Sequence, residues 1–236
     1  RTPPVFTCFS SSSPSLVFTG HVLLLKVFPF FLEAAWVTIL LSVLPAILGL
    51  LCGTLGAAAR LSRFAVLRFL GAAYVSVFRG TPALIQLFIL YFGGPQIGIQ
   101  LDAFEAGVIG LGINAGAYMT ETIRGAIISN DKGQREAART LGLSSWQATY
   151  KVILPQAARI AAPTLVNYFI DMIKGTSLAF TLGVTEMMGA AQKEAAGSFL
   201  YFEAFLVVAV IYWVIVEVLS QGQKRLETHL NRAFVR

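Results

Sequence analysis

Of the charged residues inside the long apolar stretches of this 236-residue sequence, three are of types that suit the recognition of a zwitterion. Asp171 and Lys174 are three positions apart, which places them on one face of a helix. Glu121 stands in an earlier apolar stretch. A carboxylate can bind an α-ammonium group, and a lysine ammonium or a hydroxyl can bind an α-carboxylate. Because a charge inside a membrane costs roughly 2.5–3.5 kcal/mol on insertion scales, such residues are candidates for function.

The candidate ligand groups extend to the hydroxyl side chains that follow the lysine. The set is Glu121, Asp171, Lys174, Thr176 and Ser177. A helix broken near Gly175 at the middle of a membrane would also present free backbone amides. A structural role, in which Asp171 and Lys174 neutralise each other, is the alternative for that pair. A structural role is also the alternative for Glu121, which could pair with Arg124. The sequence does not decide between ligand binding and a structural role for either site.

The composition indicates what kind of element must hold these charges. Hydrophobic residues make up 56% of the chain and charged residues 13%, with a mean hydropathy of +0.71. Because a soluble domain carries about 25% charged residues, these values exclude a soluble enzyme, a disordered chain and a disulfide scaffold. They predict a polytopic, all-α membrane protein.

Five apolar segments are long enough to cross a hydrocarbon core of about 30 Å as helices, at about 1.5 Å per residue. They are residues 34–59, 80–101, 106–128, 160–182 and 199–219. The first two contain no charge, and each of the other three contains two charged residues. Residues 61–77 mix two arginines with apolar residues, a pattern that favours an interfacial lead-in to the second span.

The basic residues predict the orientation of these spans. Of the 18 Lys and Arg residues, 14 fall in the loop after the first span, the loop between the third and fourth spans with its flanks, or the tail. The positive-inside rule then predicts a cytoplasmic C-terminus and an N-terminus outside. The predicted boundaries are a flexible leader at 1–20, a transmembrane domain at 21–223, and a basic cytoplasmic tail at 224–236 next to membrane lipid.

The cytoplasmic loop at 129–158 is patterned as two helices joined by a turn. Asn130 and Asp131 can cap a first helix that starts near Lys132. Gly142 can end that helix in the left-handed conformation.

The second loop helix is predicted from its own start and stop signals. Ser144 and Gln147 fit a capping box, and the short helix that they start is expected to end before Pro155. Ala137 and Ala138 are small and expected to be exposed, which allows close approach by a partner protein. A merely solvated basic loop is the alternative.

The same loop carries a recognisable motif. It contains Glu136-Ala137-Ala138, then Gly142, then Val152-Ile153-Leu154-Pro155, and this spacing resembles the EAA loop of ABC-importer permeases. Other segments that resemble this family are Arg79-Gly80-Thr81-Pro82, Ala117-Tyr118 with Glu121, Lys132-Gly133-Gln134 and Lys174-Gly175-Thr176-Ser177-Leu178. The resemblance runs from about residue 34 to 232 and is to the polar amino-acid branch, the histidine/glutamine permease type.

The resemblance implies a type I ABC-importer permease fold in the bacterial cytoplasmic (inner) membrane, with about five transmembrane helices per chain. It implies a dimer with a second copy of the chain or with a paralogue. Two ATPase subunits would bind the cytoplasmic face of this dimer, and an extracytoplasmic binding protein would deliver the amino acid.

The resemblance also assigns residues to roles. Those that would couple the chain to the ATPase are Glu136, Ala137, Ala138, Gly142, Leu154 and Pro155, and Tyr118 joins the substrate-binding set. The sequence contains no GxxxxGK[ST] stretch, so the chain is not expected to be an enzyme, and ATP with Mg²⁺ would be bound by the partner ATPase. No cofactor or metal in this chain, and no nucleic-acid partner, is expected.

One motif departs from the family pattern. The family commonly reads KDTSL, whereas this chain has Gly175 at the position of the acid. Asp171 stands one turn earlier on about the same helix face, and the hypothesis is that the negative charge has moved by one turn. The segment KGTSLAF resembles branches linked to L-cystine, so L-cystine and a cationic amino acid are the candidate substrates.

An ion-coupled secondary amino-acid carrier or a channel is the alternative function. Such a protein needs no ATPase, which would leave the EAA loop unexplained. A membrane enzyme would need a nucleophile with a base, or metal ligands, inside the spans, where the sequence places no histidine and a single cysteine, Cys52.

Overall fold

A computed structural model describes residues 14–130 and 132–231, which form helices and turns without a β-strand. The predicted all-α class is therefore confirmed for this part of the chain. Most of the predicted leader at 1–20, Asp131 and the last five residues of the predicted tail lie outside the described residues. Residues 14–20 belong to the first helix, so the predicted leader boundary at residue 20 does not coincide with a helix boundary.

The described residues form a succession of helices, some of them prolonged by π-turns or 3-10 turns. They are α1 (Pro14–Leu61), α2 (Ala65–Gly80), α3 (Ala83–Phe88), α4 (Ala103–Ile128), α5 (Lys132–Thr140), α6 (Ser145–Ala148), α7 (Leu154–Gly175), α8 (Met187–Ser198) and α9 (Tyr201–Asn231). α3 continues through a π-turn at Ile89–Gly93 and a 3-10 turn at Gly94–Ile97. A π-turn at Thr149–Ile153 joins α6 to α7, and a 3-10 turn at Thr176–Leu182 prolongs α7.

Length and composition single out two segments, among the described residues, that can cross a membrane: Glu33–Leu61 in α1 and Tyr201–Thr228 in α9. A third qualifies if α2 and the helix Ala83–Ile97, bent by 105° to each other, count as one broken span. The count of five spans is not confirmed by this criterion. α4 and α7 are long enough, but each carries three charged residues.

The predicted helix at 80–101 is wrong at its start. α2 ends at Gly80, Thr81 has an extended backbone, and a new helix begins after Pro82. Pro82 explains this break, because a proline ring disfavours helical geometry in the residue that precedes it. Most of α2 comes from the residues predicted as an interfacial lead-in at 61–77.

α1 and α4 run parallel and pack closely through glycines. A Cβ atom added at Gly49 would lie 3.2 Å from the Cβ of Ala115, and one added at Gly53 would lie 2.7 Å from the Cβ of Met119. Gly116 faces α1 in the same way, because an added Cβ would lie 2.6 Å from the Cβ of Cys52. These small residues let two helix backbones approach each other inside an apolar protein.

The remaining long helices alternate in direction. α7 runs antiparallel to α4, since Ala126 near the end of α4 packs on Ala157 near the start of α7. α9 returns antiparallel to α7, because the side chain of Gln223 donates a hydrogen bond to the carbonyl of Pro163 at 3.3 Å. α8 lies between α7 and α9 in the chain and packs on both α1 and α9.

α7 is the end of a longer helical run, and the prediction that the second loop helix stops before Pro155 is wrong. The π-turn at Thr149–Ile153 leads directly into α7, with Pro155 in its first turn. The N–H of Leu154 donates to the carbonyl of Thr149, so the hydrogen-bond register has shifted where Pro155 lacks a donor. A first-turn proline is compatible with a helix because the first N–H groups have no intrahelical acceptor.

Candidate functional site

The first helix of the loop at 129–158 ends as the sequence predicts. Gly142 has a φ of +77°, in the left-handed region that favours glycine. The N–H of Leu143 donates to the carbonyl of Ala138 at 3.1 Å, and that of Gly142 donates to the carbonyl of Arg139 at 2.9 Å. These two bonds form a Schellman motif, which turns the chain sharply at the end of α5.

The start of the second loop helix is also confirmed. The N–H of Gln147 donates to the hydroxyl of Ser144 at 3.3 Å, and the N–H of Ser144 donates to the side-chain oxygen of Gln147 at 2.9 Å. This reciprocal pair is a capping box. Of the two predicted caps of the first loop helix, Asp131 lies outside the described residues. The prediction is wrong for Asn130, because its amide oxygen has no hydrogen-bond partner among the described residues and its amide nitrogen donates back to the carbonyl of Ala126 in α4 at 2.9 Å.

The predicted coupling residues differ in exposure. Ala138 is buried with 3% of its surface exposed, so the prediction that both alanines are exposed is wrong for this residue. Ala138 faces inward because the chain that turns back at Gly142 packs α5 against α6 and the π-turn. The other members of the coupling set are exposed: Glu136, Ala137, Gly142, Leu154 and Pro155.

Three large apolar side chains project from the same loop, and we call them the apolar loop patch. Leu141, Trp146 and Tyr150 are 81%, 72% and 63% exposed, respectively. The rings of Trp146 and Tyr150 stack with their planes 10° apart and their centroids 6.3 Å apart. None of these three residues belongs to the predicted coupling set, although the spacing of four residues between Trp146 and Tyr150 signals one helix face.

Glu121 is held by two arginines from two helices. Its Oε1 lies 3.2 Å from Nε of Arg60, at the end of α1. Its Oε2 lies 2.6 Å from a terminal guanidinium nitrogen of Arg124 and 2.9 Å from its Nε. The pairing with Arg124 that the sequence left open is therefore present, together with a second arginine. Both carboxylate oxygens are occupied, and they join α1 to α4.

Asp171 and Lys174 form a different kind of pair. The carboxylate and the ammonium lie 2.8 Å apart on one face of α7, and both side chains are more than half exposed. Neither group bonds to another helix in this arrangement. The pair lies on the ridge between two cavities, because Asp171 lines one of them and Lys174 lines the other.

The Asp171 cavity has a volume of about 270 Å³ and lies between α4 and α7. Tyr118, Tyr168 and Asn114 share its wall with Asp171. The rings of Tyr118 and Tyr168 have centroids 6.0 Å apart, and the guanidinium of Arg79 lies 5.1 Å from the centroid of Tyr118. Aromatic faces beside a carboxylate suit a cationic group such as an ammonium.

The interruption of the helix at Thr81 and Pro82 positions the wall of this cavity. The amide nitrogen of Gln86 donates to the carbonyls of Phe78 and Thr81, at 3.0 Å and 3.1 Å. Asn114 on α4 donates to the same Phe78 carbonyl and to the side-chain oxygen of Gln86, each at 3.0 Å. These amides satisfy carbonyls that the end of α2 leaves without helical partners. Asn114 was missed in the sequence, where its only signal is a polar residue inside an apolar run.

The Lys174 cavity has a volume of about 410 Å³ and lies between the end of α7, α8 and α9. Lys174, Ser177 and Tyr212 supply its polar wall, and the remaining lining residues are Met188, Phe205, Val208 and Ala209. Thr176 belongs to the predicted substrate set but is fully buried, with its hydroxyl bonded to the carbonyl of Ile173 at 2.8 Å. The side chain of Thr176 therefore faces the interior of the protein rather than the cavity.

The helix is not broken at Gly175, which corrects the expectation of free backbone amides there. The N–H of Thr176 donates to the carbonyl of Met172, and the 3-10 turn continues to Leu182. The run ends only at Gly183, whose φ of +97° is left-handed. A change from α to 3-10 bonding keeps these amides occupied.

A fully buried carboxylate stands behind the Lys174 cavity, and sequence reasoning missed it. Glu186 accepts hydrogen bonds from the N–H groups of Met188 and Gly189 at 2.9 Å and 2.8 Å, and so caps α8. The hydroxyl of Tyr212 donates at 2.9 Å to Oε2, the oxygen that also accepts from Met188, and it lies within hydrogen-bond reach of the side chains of Thr38 and Thr176. An acid just before a helix of small residues was the available signal.

The described residues contain no group of three or more His, Cys, Asp or Glu side chains arranged to hold a metal ion.

Comparison with known proteins places this geometry in context. A family model described as the binding-protein-dependent transport system inner membrane component matches residues 46–232. The chain is 49% identical to the probable amino-acid ABC transporter permease protein PatM of Vibrio harveyi, over 90% of this chain and 97% of that protein. It is 42% identical to the L-cystine transport system permease protein TcyB of Bacillus subtilis, over 83% of this chain and 84% of that protein.

Solved structures show the same likeness. A crystal structure of an amino acid ABC transporter with histidines matches with a TM-score of 0.84 and 34% identity, covering 87% of this chain and 96% of that chain. An inward-facing structure of the MetNI methionine ABC transporter matches with a TM-score of 0.65 at 19% identity, and supports the fold alone.

Proposed function

Because the chain belongs to the family of binding-protein-dependent transport system inner membrane components, we propose that it forms the membrane pathway of an ATP-driven importer of polar L-amino acids. The chain is an amino-acid ABC transporter permease subunit with the fold of the type I importers. Its relatives are permease components rather than enzymes, so the proposal assigns ATP hydrolysis, with ATP and Mg²⁺, to a separate ATPase.

The helix directions support five crossings of a bacterial inner membrane. α1 and α4 run parallel, so the chain between them crosses once, as the bent segment from α2 to Ile97. α7 with its 3-10 turn and α9 then supply two antiparallel crossings. The basic residues at the ends of α1, α4 and α9 support a cytoplasmic location for those ends by the positive-inside rule. The N-terminal side of α1 is then outside.

We assign the cytoplasmic loop to the coupling with the ATPase. Its turn is rigid because a Schellman motif and a capping box fix both sides of it. The apolar loop patch presents large aromatic surface to water, which is typical of a protein-binding site. Glu136, Ala137 and Gly142 lie exposed on the same loop, so movement of the ATPase would be transmitted through α5 and α6 to α7.

The Asp171–Lys174 pair is the proposed site for the amino-acid backbone. The α-ammonium would replace Lys174 as the partner of Asp171, beside the rings of Tyr118 and Tyr168. The α-carboxylate would bind Lys174 and the hydroxyl of Ser177. Glu121 is removed from the substrate set in this proposal, since both of its oxygens are bonded to arginines. Thr176 is removed because its hydroxyl is buried.

The observation that favours an ATP-driven importer over an ion-coupled carrier or a channel is the ordered loop with its exposed apolar patch. A carrier has no partner that would cover this surface. The partners in the proposal are two ATPase subunits, a second permease copy or a paralogue, and an extracytoplasmic amino-acid-binding protein.

Uptake into vesicles tests the proposal. The chain would be reconstituted with its ATPase and binding protein, and labelled cystine, arginine, histidine and glutamine would be offered with and without ATP on the ATPase side. We expect uptake that requires ATP. Uptake that ignores ATP and follows an ion gradient would contradict the importer and support the carrier. A Trp146→Ala, Tyr150→Ala double variant should lose the ATPase from the purified complex, whereas Phe199→Ala, a change at an exposed aromatic residue outside the loop, should retain it.

A further inference from the structure

We infer that the Asp171–Lys174 site selects amino acids with an uncharged side chain and discriminates against those with a cationic side chain. This inference rests on the proposed function, and it narrows the two candidate substrate classes that the sequence leaves open. It comes from the number and placement of the charges that face the two cavities.

The lining of the two cavities is balanced for a single zwitterion. The residues around them include one acid, Asp171, and one base, Lys174. A bound α-ammonium and α-carboxylate can exchange one for one with this pair, which is more than half exposed and held at 2.8 Å by a single contact. After that exchange, the carboxylate of Asp171 is paired with the α-ammonium, so it cannot neutralise a second positive charge on the ligand.

Two acids that pack close to this region, Glu121 and Glu186, are not available to a second ammonium. Glu121 is bonded through both oxygens to Arg60 and Arg124. Glu186 has no exposed surface and is separated from the Lys174 cavity by Tyr212 and Met188, both of which donate to its carboxylate. Neither carboxylate can reach a ligand without breaking the packing of its own helix.

A further charge beside the Asp171 cavity has the wrong sign for a cationic side chain. The guanidinium of Arg79 lies over the ring of Tyr118, which lines the Asp171 cavity. A lysine or arginine ligand would place its second positive charge near Arg79 or near Lys174. An unpaired charge in a partly desolvated site is unfavourable, and a like charge nearby makes it more so.

The Lys174 cavity instead suits an uncharged side chain. Beyond Lys174, Ser177 and Tyr212, its wall is made of Met188, Phe205, Val208 and Ala209. Apolar and thioether surfaces stabilise a ligand by removing apolar area from water and cannot replace the hydration of an ammonium. Its volume of about 410 Å³ exceeds that of the Asp171 cavity at about 270 Å³, so it is the larger space for a side chain.

Direct binding to the permease–ATPase complex tests this selectivity without the binding protein, which has a selectivity of its own. L-methionine and L-lysine have unbranched side chains of similar length and differ in charge, so they form a matched pair. Isothermal titration calorimetry of the purified complex should give a Kd for methionine that is at least tenfold lower than the Kd for lysine. Lysine that binds as tightly as methionine would overturn the selectivity while leaving the proposed function intact. If neither amino acid binds to a complex that hydrolyses ATP, both the selectivity and the proposed site are wrong.

A second acid in the Lys174 cavity should reverse the preference. Ala209 is exposed and lines this cavity, so Ala209→Asp adds one negative charge and Ala209→Asn is the uncharged control of the same shape. We expect the aspartate variant to bind lysine at least tenfold more tightly than the wild-type complex does. The asparagine variant should keep the wild-type ratio of the Kd for lysine to the Kd for methionine. An equal change in both variants would overturn the charge argument.

Discussion

Glu121 and Asp171 are both acids in long apolar helices, but they differ in exposure and in the number of their partners. Glu121 has a side chain that is 20% exposed, and it bonds to arginines on α1 and on α4. Asp171 has a side chain that is 58% exposed, and it bonds to one lysine on its own helix. The first acid ties two helices together, whereas the second can change partner without moving a helix.

In the proposed function, this difference separates a charge that supports the fold from a charge that binds a ligand. The presence of the charge alone marks both residues as candidates. The number of partners, and the number of helices that supply them, separates a structural acid from one that a ligand can reach. Ranking variants by their expected loss of stability, from largest to smallest, tests that separation.

The largest loss of stability is expected for Glu121→Ala. The variant leaves Arg60 and Arg124 without their shared carboxylate in a partly buried place, which typically costs about 3 kcal/mol or more. The midpoint of thermal denaturation of the purified complex should fall clearly. A double-mutant cycle with Arg60→Ala is the control, because a true pair gives a coupling energy rather than two additive losses. A denaturation midpoint equal to that of the wild type would show that the two arginines do not depend on Glu121.

A smaller loss is expected for Glu186→Ala. The change removes the acceptor of two N–H groups at the start of α8 and of the hydroxyl of Tyr212, at a cost of about 2 kcal/mol. Glu186→Gln retains an acceptor for the backbone and should lose less, as measured by the same denaturation midpoint. Equal losses in the two variants would mean that the charge of Glu186, rather than its hydrogen bonds, stabilises α8.

The loop at 129–158 was predictable because its signals are local. Gly142 follows the last turn of α5, and Ser144 and Gln147 are three residues apart, so the motif is complete within a short window of sequence. The burial of individual side chains within the loop was not predictable in the same way. Ala138 is buried because the chain returns over it after Gly142, and that return depends on the three-dimensional path of the turn.

The loop supplies a prediction with a modest effect on stability. Ser144→Ala removes the hydroxyl that accepts from the N–H of Gln147, with an expected local cost of about 1 kcal/mol. Faster hydrogen exchange of the amides at 145–148, at unchanged global stability, would reveal this loss. Ser145→Ala is the matched control, since the capping bonds are made by Ser144 and Gln147. Exchange that accelerates equally in both variants would argue against the capping box.

The substrate region was only partly predictable, because its contacts join distant parts of the chain. The N–H of Met187 bonds to the hydroxyl of Thr38, a separation of 149 residues. No local pattern could bring Tyr212 to Glu186, or direct Thr176 into the core while Ser177 lines a cavity. The sequence located the helix that carries Asp171 and Lys174, and their spacing placed them on one face. The packing of α4, α8 and α9 decides which neighbours they have.

Asp171→Asn should have the smallest effect on stability and a large effect on transport. An exposed pair three residues apart on one helix contributes about 0.5 kcal/mol or less, so the denaturation midpoint should stay close to that of the wild type. ATP-dependent uptake should fall at least tenfold at subsaturating substrate, because the α-ammonium loses its only carboxylate. Asp171→Glu keeps the charge and should retain more uptake than the asparagine variant.

Two outcomes for Asp171→Asn would break the contrast with Glu121. Unchanged uptake would remove Asp171 from the substrate site and leave the pair with Lys174 as a structural feature. A denaturation midpoint that falls as far as that of Glu121→Ala would mean that Asp171 also holds helices together, despite its exposure and its single partner. The combination of intact stability with lost uptake is expected only if exposure and partner number distinguish an acid that binds a ligand from one that supports the fold.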